Sequence, residues 1–335
     1  MKLHYAYVLI IIAAAMTACG PNEFAFEQNS NGQCAEGCFD PETGLLHYDY
    51  FETVSGDRLV DILVVDDNSG SMAEEQANMG TRFPTFIAGL AGLQWRLGIT
   101  TTDVSNGGAR GHLIPFTGTN LKYIDAATPN ADNLFKSTVQ IGVGGSGDER
   151  GVYAATLAVE LNEGAWIRAN SHLAVIVLSD EDEFSDGTGL ETKDRPDNFV
   201  KTVKDELGTG RTVSVHSIIT RPGDTVCLNG DGASYGTVYA ELTKLTGGIL
   251  GDICATDYGA QLQNIAGSIA SNVDSFGLKC EPVSGVVAEL SPAPATANNY
   301  TVNAGRVYFE RTLDPGTQVR LVYDCKAPKG TVAAR

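Results

Sequence analysis

Asp66, Asp67, Asn68, Ser69 and Ser71 crowd the end of an apolar run in the segment DILVVDDNSGSM, residues 61–72. A turn needs only one or two such side chains, so this loop holds more oxygen than turning requires. Alternate positions of an extended loop face the same way, which lets the Ser69 and Ser71 hydroxyls share a side. Two other stretches carry oxygen at comparable places: GGSGDERG (144–151), with Ser146 before a predicted helix, and VIVLSDEDE (175–183), where Asp180 ends a second apolar run. Hard oxygen donors of this kind suit a small divalent cation. Mg²⁺ takes six oxygens in near-octahedral geometry and keeps water readily, with Mn²⁺ or Ca²⁺ as alternatives.

Each of these residues also has a plainer reading. Asp67 and Ser69 are suited to capping the helix that follows, and Ser146 could line a glycine turn with Asp148 as the cap. Asp66 either backs the cluster or solvates a strand end. Asp182 and Glu183 read first as a solvated acidic loop and second as part of a ligand-facing rim, and Asp103 is weighed in the same way. Asn229 to Gly232 reads as turn chemistry. No catalytic residue is expected. GGSGD lacks the last glycine of a G-x-S-x-G nucleophile elbow, the five histidines are dispersed, and no H-E-x-x-H or phosphate-loop pattern is present. A serine hydrolase built on Ser146 is the weaker alternative, with no identifiable base.

Elements must bring these loops together. LVDILVVD, LGITTTD, LAVIVLSD and VSVHSIIT are near-continuous apolar runs of the kind found in parallel strands covered on both faces. Between them, helices are expected at 74–90, 149–163, 197–207, 235–245 and 258–276, the first kinked or split by Pro84. Alternation of this sort predicts an α/β fold, a doubly wound, mostly parallel sheet flanked by helices. Ligands of such sheets bind beyond the carboxyl ends of the strands, where these oxygen-rich loops would lie. After Cys280 the short alternating runs GVVAELS, NYTVNAGRVYFER and TQVRLVYDC predict a small C-terminal antiparallel β-module.

On these motifs the chain resembles a von Willebrand factor A domain with a metal-ion-dependent adhesion site. The resemblance covers residues 58–278. Asp67, Ser69 and Ser71 match its D-x-S-x-S motif, Asp180 matches the aspartate that ends its fourth strand, and Ser146 is the nearest match to a threonine in its glycine-rich loop. Ser146 departs from the commoner threonine, and Glu181 stands where the family often has glycine. The resemblance implies that Asp67, Ser69, Ser71, Ser146 and Asp180 hold Mg²⁺ or Mn²⁺, with Asp66, Asp103 and Asp182 at the rim or behind. It also implies a protein or cell-surface partner whose acidic side chain completes the coordination. A scaffold using the metal for assembly is the structural alternative.

The N-terminus, MKLHYAYVLIIIAAAMTACG, has an apolar stretch too short to span a bilayer and reads as a signal peptide over 1–18. Its Met16-Thr17-Ala18-Cys19 ending resembles a bacterial lipobox, with Cys19 lipidated and the chain anchored to a membrane without crossing it. Gly20 after the cysteine fits outer-membrane sorting within a bacterial envelope. Residues 19–57 are read as lipidated Cys19 and tether, 58–278 as the α/β domain and 279–335 as the β-module. Removing Cys19 leaves six cysteines, and sequence order in an exported chain suggests disulfides Cys34–Cys38, Cys227–Cys254 and Cys280–Cys325. The formal charge of −18 argues against nucleic acid, whose phosphates call for clustered Lys and Arg.

Overall fold

The computed structural model describes residues 34–183, 191–208, 211–230, 232–303 and 305–327. The expected signal peptide, Cys19 and the first part of the expected tether lie outside the described residues. The central sheet is built from β3 (Leu59–Asp66), β4 (Gln94–Thr101), β5 (Ile124–Asp125), β6 (His172–Ser179), β7 (Val213–Ile219) and β8 (Leu250–Asp252) in the order β5-β4-β3-β6-β7-β8. All neighbours run parallel except β4 and β5. The chain is therefore α/β, with a mostly parallel sheet between two helical layers.

Strand β3 explains why its sequence reads as continuous grease. Val60, Ile62 and Val64 enter one core with α1 (Ala73–Gly89), α2 (Ala131–Val139) and α7 (Gly259–Val273). Leu63 and Val65 enter the other, with α3 (Gly151–Leu161), α4 (Pro196–Leu207) and α6 (Thr237–Leu245). Side chains alternate across a strand, so a strand covered on both faces has no polar side.

Helix α1 is not split at Pro84, as one of the two expectations for it had it. It runs unbroken from Ala73 to Gly89 with Pro84 inside it. Phe83 and Phe86 on either side are fully buried, and the Phe83 ring stacks on Phe135 of α2 with centroids 3.9 Å apart. The carbonyl facing the proline ring belongs to Gly80, and burial of the two flanking aromatics outweighs the lost hydrogen bond.

A larger correction concerns the tether. Residues 34–53 form β1 (Cys34–Asp40) and β2 (Leu45–Thr53), and β2 pairs with β13 (Gln318–Lys326) at nine positions, from Leu45↔Lys326 to Thr53↔Gln318. One antiparallel sheet has the order β1-β2-β13-β10, with β10 spanning Val287–Ser291. A second has the order β11-β12-β9, from β9 (Phe276–Gly277), β11 (Tyr300–Asn303) and β12 (Arg306–Phe309). Leu46, Tyr48 and Tyr50 of β2 share a core with Val307, Val319, Leu321 and Tyr323. The β-module thus takes strands from both sides of the α/β domain, which sits in the chain between β2 and β9. The alternation of LLHYDYFET supplies the buried face, because Leu46, Tyr48 and Tyr50 point inward while the residues between them do not.

Disulfides join Cys34 to Cys38, Cys227 to Cys254 and Cys280 to Cys325. Among the described residues, no helix is long and apolar enough to cross a membrane.

Candidate metal centre

Register sets the floor of the site. Asp66 at the end of β3 lies opposite Thr101 of β4 and Leu178 of β6. The Asp66 carbonyl accepts from Thr102 N at 3.2 Å, and Asp67 N donates to the Leu178 carbonyl at 2.9 Å. Three strands therefore end at one level, and the loops carrying Asp67, Asp103 and Asp180 leave the sheet side by side.

Asp67 is fully buried. Its Oδ1 accepts from Ser69 N at 2.8 Å and its Oδ2 from the Ser179 hydroxyl at 2.6 Å. Burial pushes its carboxyl above the usual range, opposed by those two hydrogen bonds. The Ser69 and Ser71 hydroxyls lie 3.4 Å apart. Asp180 is raised to about 6, chiefly by burial, against a hydrogen bond from Ser71 and with Asp67 adding repulsion. The structure thus brings Asp67, Ser69, Ser71 and Asp180 into one cluster, with Ser69 buried and Ser71 exposed to solvent. Neither Asp67 nor Ser69 caps α1, whose N-cap is Met72 without a side-chain bond.

Ser146 stands differently. Its loop is pressed onto the first one: Gly145 N donates to the Asn68 carbonyl at 2.8 Å, and a Cβ on Gly145 would come within 2.4 Å of the Asn68 side chain. A side chain at that position would have to displace the Asn68 amide. The Ser146 hydroxyl, however, accepts from Asp148 N at 3.0 Å within its own turn. The side chain of this segment that reaches Asp67 is Glu149, which the sequence marks only as a helix start. Glu149 is fully buried, its Oε2 accepts from the Thr102 hydroxyl, and its carboxyl lies within hydrogen-bond reach of Asp67. Burial, then the Asp67 charge, raises it to about 9. The available signal was an acid at the mouth of an apolar helix, in DERGVYAA.

The flanking acids hold loops in place. Asp103 is buried, accepting from Ser105 N at 2.8 Å and Ser146 N at 3.2 Å, so it ties the second loop down. Asp182 accepts from Val238 N of α6 at 2.9 Å, and Glu183 from Val152 N and Tyr153 N of α3 at 2.7 and 3.1 Å. The expectation of a solvated acidic loop is therefore corrected for both, since helix N-termini attract carboxylates. Behind Asp180, its carbonyl accepts from Ala233 N and Ser234 N at 3.1 Å each, in the segment after the short α5 (Thr225–Asn229), which carries the Cys227 end of the Cys227–Cys254 disulfide.

The donor set fits a cation. Both Asp66 oxygens, Asn68 Oδ1, Glu149 Oε1, Asp180 Oδ1 and the Thr100 and Thr101 hydroxyls are buried at the strand ends without a hydrogen-bond partner. Such acceptors are costly unless something positive meets them. Asp67, Glu149 and Asp180 do not all bring an oxygen within 4.8 Å of one another; among the described residues that closeness is reached by Cys227, Asp252 and Cys254, whose sulfurs are bonded together. The histidines among the described residues pair away from Ser146: His47 with Asp324, His112 with Glu163, and His172 and His216 with Ser214.

No protein-family model and no curated protein matches the chain. Among solved structures it is similar to the pilus adhesin SpaC of Lactobacillus rhamnosus GG in its open conformation, with 13% identity, a TM-score of 0.40, and coverage of 84% of this chain and 41% of that one. Human COPII-coat protein Sec24c gives 9% identity and a TM-score of 0.41 over 84% of this chain and 46% of that one. Proximal thread matrix protein 1 of the mussel byssus gives 8% and 0.34 over 66% and 48%. The chain spans less than half the length of each. Likenesses this distant carry no argument about function, which rests on the site itself.

Proposed function

We propose that the chain is a protein-binding module of the bacterial cell envelope, and that it grips an acidic side chain of its partner through a divalent cation held at the carboxyl edge of the parallel sheet. The observation that carries this reading is the set of buried, partnerless oxygens of Asp66, Glu149 and Asp180 beside the paired hydroxyls of Ser69 and Ser71. Asp67, Ser69, Ser71 and Asp180 would hold Mg²⁺ or Mn²⁺. The exposure of Ser71 leaves one side of the cluster open to a partner. Bound there, the cation supplies the positive charge that a partner's carboxylate seeks. The resemblance of D-x-S-x-S and Asp180 to a metal-ion-dependent adhesion site supports the same assignment.

Lipidation at Cys19 would tether the module to the outer membrane, and its role would be adhesion or assembly between envelope proteins. Thermal melting of the wild type and Asp67→Ala with added Mg²⁺ or Mn²⁺ tests the socket. The wild type is expected to gain stability on metal addition and Asp67→Ala to gain none; negligible, equal shifts in both contradict the proposal.

A further inference from the structure

The second loop offers the cluster two oxygen-bearing side chains, and the structure separates them. The Ser146 hydroxyl is committed to Asp148 N, and the Ser146 backbone to Asp103. Three residues on, Glu149 is fully buried and faces Asp67, with Oε2 anchored by Thr102 and Oε1 meeting no donor. Two carboxyl groups at that range are held together only by a shared proton or by a cation. Asp66, next to Asp67 in the chain, is also fully buried with both oxygens partnerless.

We infer that Glu149, rather than Ser146, is the second loop's ligand for the cation, and that the site favours Ca²⁺ over Mg²⁺. This rests on the cation socket proposed above. The metal preference follows from the number of carboxylates. Mg²⁺ is usually held by one or two and keeps its waters, whereas Ca²⁺ accepts more carboxylate oxygens in looser geometry. Asp67, Glu149 and Asp180 give three on this edge. The additional carboxylate leaves the cation less positive towards a partner's acid.

Calorimetric titration of Ca²⁺ and Mg²⁺ into the wild type, Glu149→Gln, Glu149→Thr and Ser146→Ala tests the inference with the metals alone. The wild type is expected to bind Ca²⁺ more tightly than Mg²⁺. Glu149→Gln should weaken Ca²⁺ by about tenfold or more, on the scale seen when groups at a metal site are removed, and Glu149→Thr should narrow the preference for Ca²⁺. Ser146→Ala should change either affinity less than about threefold. Unchanged binding in both Glu149 variants, or a larger loss in Ser146→Ala, overturns the inference while leaving the socket standing. A wild type that binds neither ion defeats the socket itself. Circular dichroism checks the fold; should Glu149→Gln not fold, Glu149→Asp is titrated, where weakened Ca²⁺ binding supports the inference and unchanged binding overturns it.

Discussion

Asp67 ties three segments together: it meets Ser69 through that residue's backbone, Ser179 through its hydroxyl, and Glu149 carboxyl to carboxyl. Burial of Glu149, and then that last contact, gives the metal-free protein a pH dependence. The folded-state value of Glu149, about 9, lies above its ordinary value of 4.5, so the folded protein holds this proton more tightly than the unfolded chain does. Its stabilising contribution is full below the lower value and is lost as pH rises through the upper one. In chelator, the melting temperature should therefore fall from mildly acidic towards alkaline pH, and Glu149→Gln should flatten that slope. A wild-type slope that the variant reproduces would assign the effect to other groups. The buried histidines act in the opposite direction. His172 is held well below 6.5, chiefly by burial, and His216 is brought to about 3 by the same cause. The stability they carry is present above 6.5 and lost on acidification, and His216→Gln should lessen the acid sensitivity of a melting curve.

At the scale of elements, the position of the site depends on strands ending in register and on helices that lock them there. Phe83 sits where α1, α2 and the sheet meet, and Phe83→Ala should cost about 3–5 kcal/mol in denaturant unfolding. A loss well under that would mean α1 is held by something other than its aromatic face. The Cys227–Cys254 bridge, whose ends are 27 positions apart in sequence, buttresses the segment that hydrogen-bonds the Asp180 carbonyl. Replacing both cysteines by alanine should lower stability by about 3 kcal/mol. Much of this layer was legible in the sequence. The four apolar runs became β3, β4, β6 and β7, because full burial on both faces leaves an unmistakable composition. The two-residue β5 and three-residue β8 left no such trace, nor did α2, which buries only Phe135, Thr138 and Val139. At the site, Asp67, Ser69, Ser71 and Asp180 were readable as strand-end oxygens. Glu149 was not, since its role depends on how α3 is aimed at β3 and β4, which spacing along the chain does not encode.

On the scale of the whole molecule, the β-module is closed by the strands that precede the α/β domain. Composition rich in polar residues concealed β2, although its alternation gave the buried face. The consequence is testable: a chain beginning at Arg58 loses the partner of β13 along nine positions. Such a chain should have an exposed strand edge and aggregate; if it stayed monomeric with an intact module, residues 34–53 would be dispensable after all. The module also meets the α/β domain through Arg306 of β12, which donates to Ser275 Oγ at 2.7 Å just beyond α7, while Arg58 and Asp274 pair at 2.5 Å within the α/β domain. The formal charge of −18 draws cations to the molecule as a whole, so loose surface binding must be told apart from a built site. Crystals grown with Mn²⁺ and measured at its absorption edge do this most directly. An anomalous peak among Asp67, Ser69, Ser71 and Asp180, absent from crystals of Asp67→Ala, is the predicted result. Anomalous peaks only on surface carboxylates, with none at that cluster, would contradict the proposed cation-dependent grip.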